Sequence, residues 1–178
     1  RLADRLSGGM KQKLALACTL IHEPQLILLD EPTTGVDPVS RREFWKLLSE
    51  FLAQGITIVM ATPYLDEAER CSRVALLSSG RLLIVDTPQA LRDSLPGRIL
   101  EVMAKPQQAA IEALRSLEGV ADIQSFGERI HVRCVEDRTG AAAERVGRRL
   151  AEQRIDVVSV REVPASLEDV FINRVAVS

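Results

Sequence analysis

The chain has 178 residues, of which 46% are hydrophobic and 27% are charged, a composition typical of a globular protein with one domain or two small ones. Its formal net charge of −2 shows no basic excess, so nucleic acid is not predicted as a partner. No apolar stretch approaches the roughly 20 residues that cross a bilayer, and the three scattered cysteines favour reduced thiols over a disulfide framework.

Helical and strand patterns alternate through the first half of the chain. Apolar residues recur at helical spacing, and short apolar runs between these segments indicate buried strands. The predicted order is a helix at 9–21, a buried strand at 25–29, a helix closed by Gly55, a buried strand at 56–60, a helix at 63–71 and a hairpin at 74–85. This alternation predicts an α/β fold with a largely parallel sheet.

The pattern changes around Leu95-Pro96-Gly97, which predicts a boundary between a first domain at 1–95 and a second at 98–178. The second segment is predicted to contain strands at 99–103, 120–126, 129–135 and 155–163, with helices at 107–117 and 141–150. This βαββαβ order predicts a small α+β domain. Alternation in the third of these strands places His131 on its outward face. Ser166 and Asp169 have the spacing of a capping box before a closing helix.

Three small residues, Ser7, Gly8 and Gly9, open the first helix. Glycines let a backbone approach a ligand closely, and a helix N-terminus supplies aligned N–H groups, so this segment suits an anion such as phosphate. The alternative is that Ser7 is only an N-cap. The three residues alone do not decide between the two.

Two adjacent carboxylates, Asp30 and Glu31, follow the first apolar strand. The carboxyl ends of strands are where open α/β sheets bind ligands. In phosphoryl transfer the first acid can hold Mg²⁺, and the second can orient or deprotonate the attacking water. The alternative is a pair of solvated acids in a turn.

The order and spacing of these segments resemble a known family. The run from Leu6-Ser7-Gly8-Gly9 through Leu29-Asp30-Glu31-Pro32 to Asp37-Pro38 resembles the signature, Walker B and D-loop motifs of ABC ATPases. Met10-Lys11-Gln12 is similar to the ATP-binding subunits of bacterial drug-export ABC transporters. The second half resembles the C-terminal extension of those subunits more loosely. The resemblance implies that residues 1–95 are the C-terminal part of a nucleotide-binding domain.

The resemblance also implies a role for each matched residue. Ser7, Gly8 and Gly9 contact the γ-phosphate of ATP held by an opposing nucleotide-binding domain. Asp30 is the Walker B acid that holds Mg²⁺, and Glu31 is the catalytic base. Asp37 couples the two sites across the interface, although an Asp before Pro38 is also an ordinary helix cap, and both roles can coexist.

The chain departs from the family in two places. Pro63 stands where the family has its switch histidine, and proline has no side-chain donor or acceptor. We therefore expect ATP beside Glu31 to be hydrolysed slowly, while the signature still completes a partner's site. No Gly-Lys pair occurs, so the phosphate-binding loop G-x-x-x-x-G-K-[ST] is missing. We expect a fragment that is inactive when isolated.

The function implied by the resemblance is ATP binding and hydrolysis that powers export through a transmembrane permease. The partners are a second ABC nucleotide-binding domain and that permease, and the location is cytoplasmic, at the inner face of the cell membrane. Two alternatives stay open: a non-hydrolysing structural or regulatory half, and an ABC ATPase that serves no transporter. The sequence does not predict the transported substrate or distinguish a homodimer from a tandem or heterodimeric arrangement.

Overall fold

The computed structural model describes residues 6–135 and 141–177. The chain forms two compact units, and the boundary between them falls between Glu67 and Ala68. This packing boundary precedes Leu95, so the segment from 68 to 95 groups with the C-terminal half. None of the helices in the described ranges combines the length and the apolar character needed to cross a bilayer.

The first unit is built on two parallel strands and two long helices. Its elements are α1 (Gly8–Leu20), β1 (Leu26–Asp30), α2 (Pro38–Ala53), β2 (Thr57–Ala61) and the start of α3 (Leu65–Ala68). Strands β1 and β2 pair in parallel, so that Asp30 lies opposite Ala61 at their carboxyl ends. This arrangement confirms the predicted alternation of helices and parallel strands.

One face of the β1–β2 sheet is covered. The core of this unit consists of Leu16, Ile27, Phe44, Leu48 and Phe51. The sequence predicted buried strands, but side chains alternate across a sheet, and Leu28 is 72% exposed on the other face. Within the described residues, the α1–α2 layer therefore shields only the face that carries Ile27.

Helix α3 is shorter than the predicted helix at 63–71. The Thr62 hydroxyl accepts a hydrogen bond of 3.1 Å from the N–H of Tyr64, which turns the chain before the helix begins. A turn in which the N–H of Cys71 donates to the carbonyl of Ala68 follows its last residue. Pro63 therefore lies in the connection between β2 and α3.

The second unit contains a hairpin and a four-stranded sheet. Its elements are β3 (Val74–Ser78), β4 (Arg81–Asp86), α4 (Pro88–Asp93), β5 (Arg98–Lys105), α5 (Gln107–Arg115), β6 (Val120–Phe126), β7 (Arg129–Cys134), α6 (Ala142–Glu152), β8 (Asp156–Val163) and α7 (Leu167–Val177). Strands β3 and β4 are antiparallel. The larger sheet has the order β6-β7-β5-β8, with every neighbouring pair antiparallel.

The predicted βαββαβ order is confirmed from β5 to β8. Helices α5 and α6 contribute Ala110, Leu114, Val146 and Leu150 to a core shared with the strands. Helix α4 was not predicted. The side chain of its N-cap, Thr87, accepts a hydrogen bond from Ala90, with a proline at the first helical position.

A polar network occupies the strand positions between the core residues. Glu101 on β5 pairs across the sheet with His131 on β7 and with Arg161 on β8. The prediction that His131 faces outward is wrong, because Nδ1 of its ring lies 3.0 Å from Oδ1 of Asp169, which belongs to α7. The reciprocal bonds between Ser166 and Asp169 confirm the capping box that starts α7.

The buried carboxylate of Glu101 predicts a pH-dependent stability. Its hydrogen bond with Arg161, 2.8 Å from Nε to Oε1, holds the pKa of Glu101 below its ordinary value of 4.5. Stability from a lowered pKa is fully present above the unfolded value and is lost as the pH falls through the folded value. We expect the free energy of unfolding to decrease as the pH falls below about 4.5. We expect Glu101→Gln to weaken this dependence and to cost about 1–3 kcal/mol at neutral pH.

Urea unfolding of the 178-residue chain at a series of pH values measures both effects. Glu112→Gln, at an exposed position of α5, is the matched control and should follow the wild-type profile. Parallel profiles for the wild type and Glu101→Gln would show that this carboxylate does not contribute the pH dependence.

Candidate functional site

The N-terminus of α1 is formed by the Ser-Gly-Gly segment. Ser7 is extended, with φ −64° and ψ 162°, and its Oγ accepts a hydrogen bond of 3.4 Å from the N–H of Met10. Ser7 and Gly8 are exposed, whereas Gly9 is buried. The cap predicted for Ser7 is therefore present, and the exposed residues Ser7 and Gly8 stand at the start of the helix.

Gly9 lies against the first turn of α2. A Cβ atom on Gly9 would lie 2.5 Å from Cβ and 2.6 Å from Oγ of Ser40, so a side chain at this position would displace α2. A Cβ on Gly8 would meet the carbonyl oxygen of Gly35 at 3.6 Å, which is an ordinary contact. The segment that opens α1 therefore packs directly on the segment that leads into α2.

The two predicted carboxylates stand at the carboxyl end of β1. Asp30 is the last strand residue, Glu31 follows it, and both are exposed. Glu31 has φ +42°, an uncommon conformation for a residue with a side chain. Its N–H donates to the carbonyl of Ala61 at 2.8 Å, and the Thr34 hydroxyl donates to its Oε2 at 3.1 Å. The end of β2 thus holds the backbone of Glu31, and Thr34 holds its carboxylate.

Asp37 is the N-cap of α2. Its Oδ1 accepts hydrogen bonds from the N–H groups of Val39 at 3.1 Å and Ser40 at 3.0 Å. The backbone N–H of Ser40 contributes most to holding the pKa of Asp37 below its ordinary value of 3.8. The ordinary cap role is therefore real, and the coupling of two sites through Asp37 stays a prediction.

The donor set at β1 fits a magnesium ion. No group of three or more His, Cys, Asp or Glu side chains in the described part of the chain could hold a metal by itself. Mg²⁺ is commonly bound through one or two carboxylates, with water and substrate phosphates completing the shell. Asp30, as an exposed carboxylate at a strand end, meets that requirement.

Glu67 is a feature of this region that sequence reasoning missed. Its side chain is 0% exposed, and it accepts hydrogen bonds from the hydroxyls of Thr33 and Thr62. Nε of Arg41 lies 3.7 Å from its Oε1. In the sequence Glu67 lies among other acids, with Asp66 before it and Glu69 after Ala68. No sequence pattern therefore distinguishes this buried carboxylate from its solvent-exposed neighbours.

Two family models match the chain. One, described as ABC transporter, matches residues 1–34. The other, described as ATP-binding protein DrrA1-3-like, C-terminal domain, matches residues 87–175. The second match alone covers half of the 178 residues.

Curated relatives align with nearly the whole chain. The probable multidrug ABC transporter ATP-binding protein YbhF of Escherichia coli K12 is 38% identical over 97% of this chain and 29% of its own length. The daunorubicin resistance ATP-binding protein DrrA2 of Streptomyces coeruleorubidus is 35% identical over 97% of the chain and 54% of its own length. The Nod factor export ATP-binding protein I of Rhizobium sp. strain N33 is 37% identical over 94% of the chain and 52% of its own length.

The chain thus spans between 29% and 54% of the length of these relatives. Their similarity extends through both units, because each alignment covers at least 94% of the chain. Together with the match at residues 87–175, this shows that the chain belongs to the ABC transporter ATP-binding proteins of the DrrA1-3-like family.

Proposed function

We propose that this chain is part of the ATP-binding and ATP-hydrolysing subunit of an ABC transporter that powers export through a membrane permease. The observation that carries the proposal is the packing of the signature segment on the start of α2, directly after the D-loop, with Gly9 against Ser40. The same unit presents the exposed carboxylates of Asp30 and Glu31 at a strand end. One packed body therefore holds residues for hydrolysis and residues for contacting a second nucleotide.

Each residue has a defined task in this proposal. Glu31 orients or deprotonates the attacking water, and its position is set by Ala61 and Thr34. Asp30 holds Mg²⁺, which when bound neutralises charge on the phosphates. Ser7 and the N–H groups of Gly8 and Gly9 hydrogen-bond the γ-phosphate of ATP held by a second nucleotide-binding domain.

The printed sequence does not contain every part of such a site. It has no Gly-Lys pair, so the loop that cradles the nucleotide phosphates has to be supplied by other residues. We therefore expect the 178 residues alone to bind ATP weakly and to leave it unhydrolysed. The experiments below use the protein that contains this chain, assembled with its permease.

The family supports the proposed partners and location. Relatives carry names for multidrug transport, daunorubicin resistance and Nod factor export, which support export as the direction of transport. The partners proposed are a second ABC nucleotide-binding domain and a transmembrane permease. The site of action is the cytoplasmic, inner face of the cell membrane. The net charge of −2 gives no support for nucleic acid.

The test of the signature segment is Ser7→Ala. We expect ATP hydrolysis by the assembled protein to fall about fivefold, because a hydrogen bond to phosphate worth about 1 kcal/mol is lost. The matched control is Thr87→Ala, which removes a cap of the same kind, since Thr87 Oγ1 accepts the N–H of Ala90 at 3.1 Å. Phosphate release and thermal unfolding are measured for both variants. An equal fall in hydrolysis for both variants would show that Ser7 acts only as a helix cap, and it would contradict the proposal.

Pro63 supports a more specific proposal about the rate of ATP hydrolysis beside Glu31. The position after β2 carries no side-chain hydrogen-bonding group, so the site beside Glu31 hydrolyses ATP slowly while the signature serves the partner's site. The same observation favours the second candidate function, a non-hydrolysing structural or regulatory half. Substitution of Glu31 separates the two candidates, as described in the Discussion.

A further inference from the structure

Glu67 and Thr33 are the buried polar or charged residues among the described residues of the first unit. Burying a carboxylate costs several kcal/mol unless hydrogen bonds and an opposite charge compensate for the lost water. The Thr33 hydroxyl donates to Oε1 of Glu67, and the Thr62 hydroxyl donates to Oε2 at 2.8 Å. The guanidinium of Arg41, with Nε 3.7 Å from Oε1, supplies the opposite charge. These contacts join three separate segments of the chain around one carboxylate.

The two threonines come from the two connections that follow the parallel strands. Thr33 lies two residues after Glu31, and Thr62 lies directly after β2 and before Pro63. The strand ends already meet where the N–H of Glu31 donates to the carbonyl of Ala61 at 2.8 Å. Glu67 adds a second link between the same two connections, farther along each of them.

This second link reaches the proposed catalytic base through Thr34, the next residue after Thr33. Its hydroxyl donates to Oε2 of Glu31 at 3.1 Å, and its N–H donates to the carbonyl of Glu31 at 3.2 Å. Glu31 itself has φ +42°, a conformation that persists only where surrounding contacts maintain it. The bond from Thr33 to Glu67 anchors the turn that provides those contacts.

We infer that Glu67 is a positioning residue for ATP hydrolysis, because its carboxylate joins the connections after β1 and β2 and so presents Glu31 to the attacking water. The inference rests on the proposed function and extends it. It also assigns Thr62 a role, which is to donate a hydrogen bond to Glu67 at the edge of the site. The neighbouring Pro63 has no side-chain donor or acceptor there.

The test is Glu67→Gln in the protein assembled with its permease, after the partner's site has been inactivated. Glutamine has the same size, but an NH2 group that cannot accept a hydrogen bond replaces one carboxylate oxygen, so one of the two threonine hydroxyls loses its acceptor and Arg41 loses the buried charge. We expect kcat for ATP hydrolysis to fall about fivefold with KM for ATP unchanged, because Glu31 is displaced while nucleotide contacts remain. The matched control is Asp66→Asn, an exposed acid that lies 3.7 Å from Nη1 of the same Arg41, and it should retain the wild-type kcat.

Two further readouts separate positioning from a general loss of stability. In the protein without nucleotide, amide hydrogen exchange at Glu31 and Thr34 should accelerate severalfold in Glu67→Gln, while exchange in the core of α2 stays unchanged. In a Glu31→Gln background, Glu67→Gln should cause no further loss of turnover, because it acts through Glu31. If Glu67→Gln does not fold, Thr33→Val replaces it, with Thr33→Ser as the variant that retains the hydroxyl and should retain kcat.

The outcomes distinguish this inference from the function on which it rests. A loss of turnover in Glu31→Gln together with wild-type kcat in Glu67→Gln, or in Thr33→Val where that variant replaces it, would overturn the inference and leave the proposed function standing. A raised KM with unchanged kcat would likewise overturn it, because nucleotide binding rather than Glu31 would be affected. Full turnover in Glu31→Gln would overturn both.

Discussion

Glu31→Gln is expected to lower the rate of ATP hydrolysis by about 10²–10⁴-fold, the range typical of removing a general base. Glutamine keeps the size of the side chain but cannot take a proton from water. The hydrogen bond from the Glu31 N–H to Ala61 uses the backbone, so the connection after β1 should keep its conformation. We therefore expect the affinity for ATP to stay within about twofold of the wild type, because kcat falls without a loss of ground-state binding.

The measurement is single-turnover hydrolysis by the assembled protein after the partner's site has been inactivated, with nucleotide affinity determined separately. Glu50→Gln is the matched control, because Glu50 is an exposed acid near the end of α2. Its rate should equal that of the wild type. If Glu31→Gln hydrolyses ATP as fast as the wild type, Glu31 is not a base, and the non-hydrolysing half becomes the better description of this chain.

Pro63→His is expected to raise hydrolysis beside Glu31 about tenfold, below the full effect of a catalytic acid or base because the surroundings are not adapted to the ring. The imidazole supplies a donor and an acceptor at the end of β2, where proline has neither. Pro63 is exposed and precedes α3, so the larger side chain has room. The experiment follows ATP turnover after the partner's site has been inactivated, so that only this site contributes.

Pro63→Ala is the control for the backbone effect of removing proline. It gives the connection after β2 the same freedom without adding a hydrogen-bonding group, and its rate should match the wild type. A gain that is equal in Pro63→Ala and Pro63→His would trace the slow rate to a stiff backbone. Rapid turnover at this site in the unaltered protein would contradict the degenerate switch itself.

Much of the fold could be predicted because its local signals agree with one another. Strand β7 was predicted from alternation, since Ile130, Val132 and Cys134 recur at every second position and are all buried. The burial of β1 and β2 was overestimated. An apolar run indicates a strand, but it does not show whether helices of the described chain cover one face of the sheet or both. Helix α4 was missed because six residues are too few for a periodic pattern to show.

Some residues of the candidate site could likewise be predicted from the sequence, and others could not. Residues tied to a linear motif, such as Asp30 and Glu31, could be proposed as site residues from the order and spacing of the motifs. Glu67 could not, because the threonines that satisfy its carboxylate lie five and 34 positions away and meet it only in the folded chain. His131 was misplaced for a related reason: the partner that covers it, Asp169, lies 38 residues later.

The absence of a side chain at Gly9 has a mechanical consequence. With no methyl group between them, α1 and the first turn of α2 approach so closely that we expect a rotation of α1 to push Ser40. Ser40 in turn donates its N–H to Asp37, so the push reaches the cap of α2 directly. We therefore expect the first turns of α1 and α2 to move together.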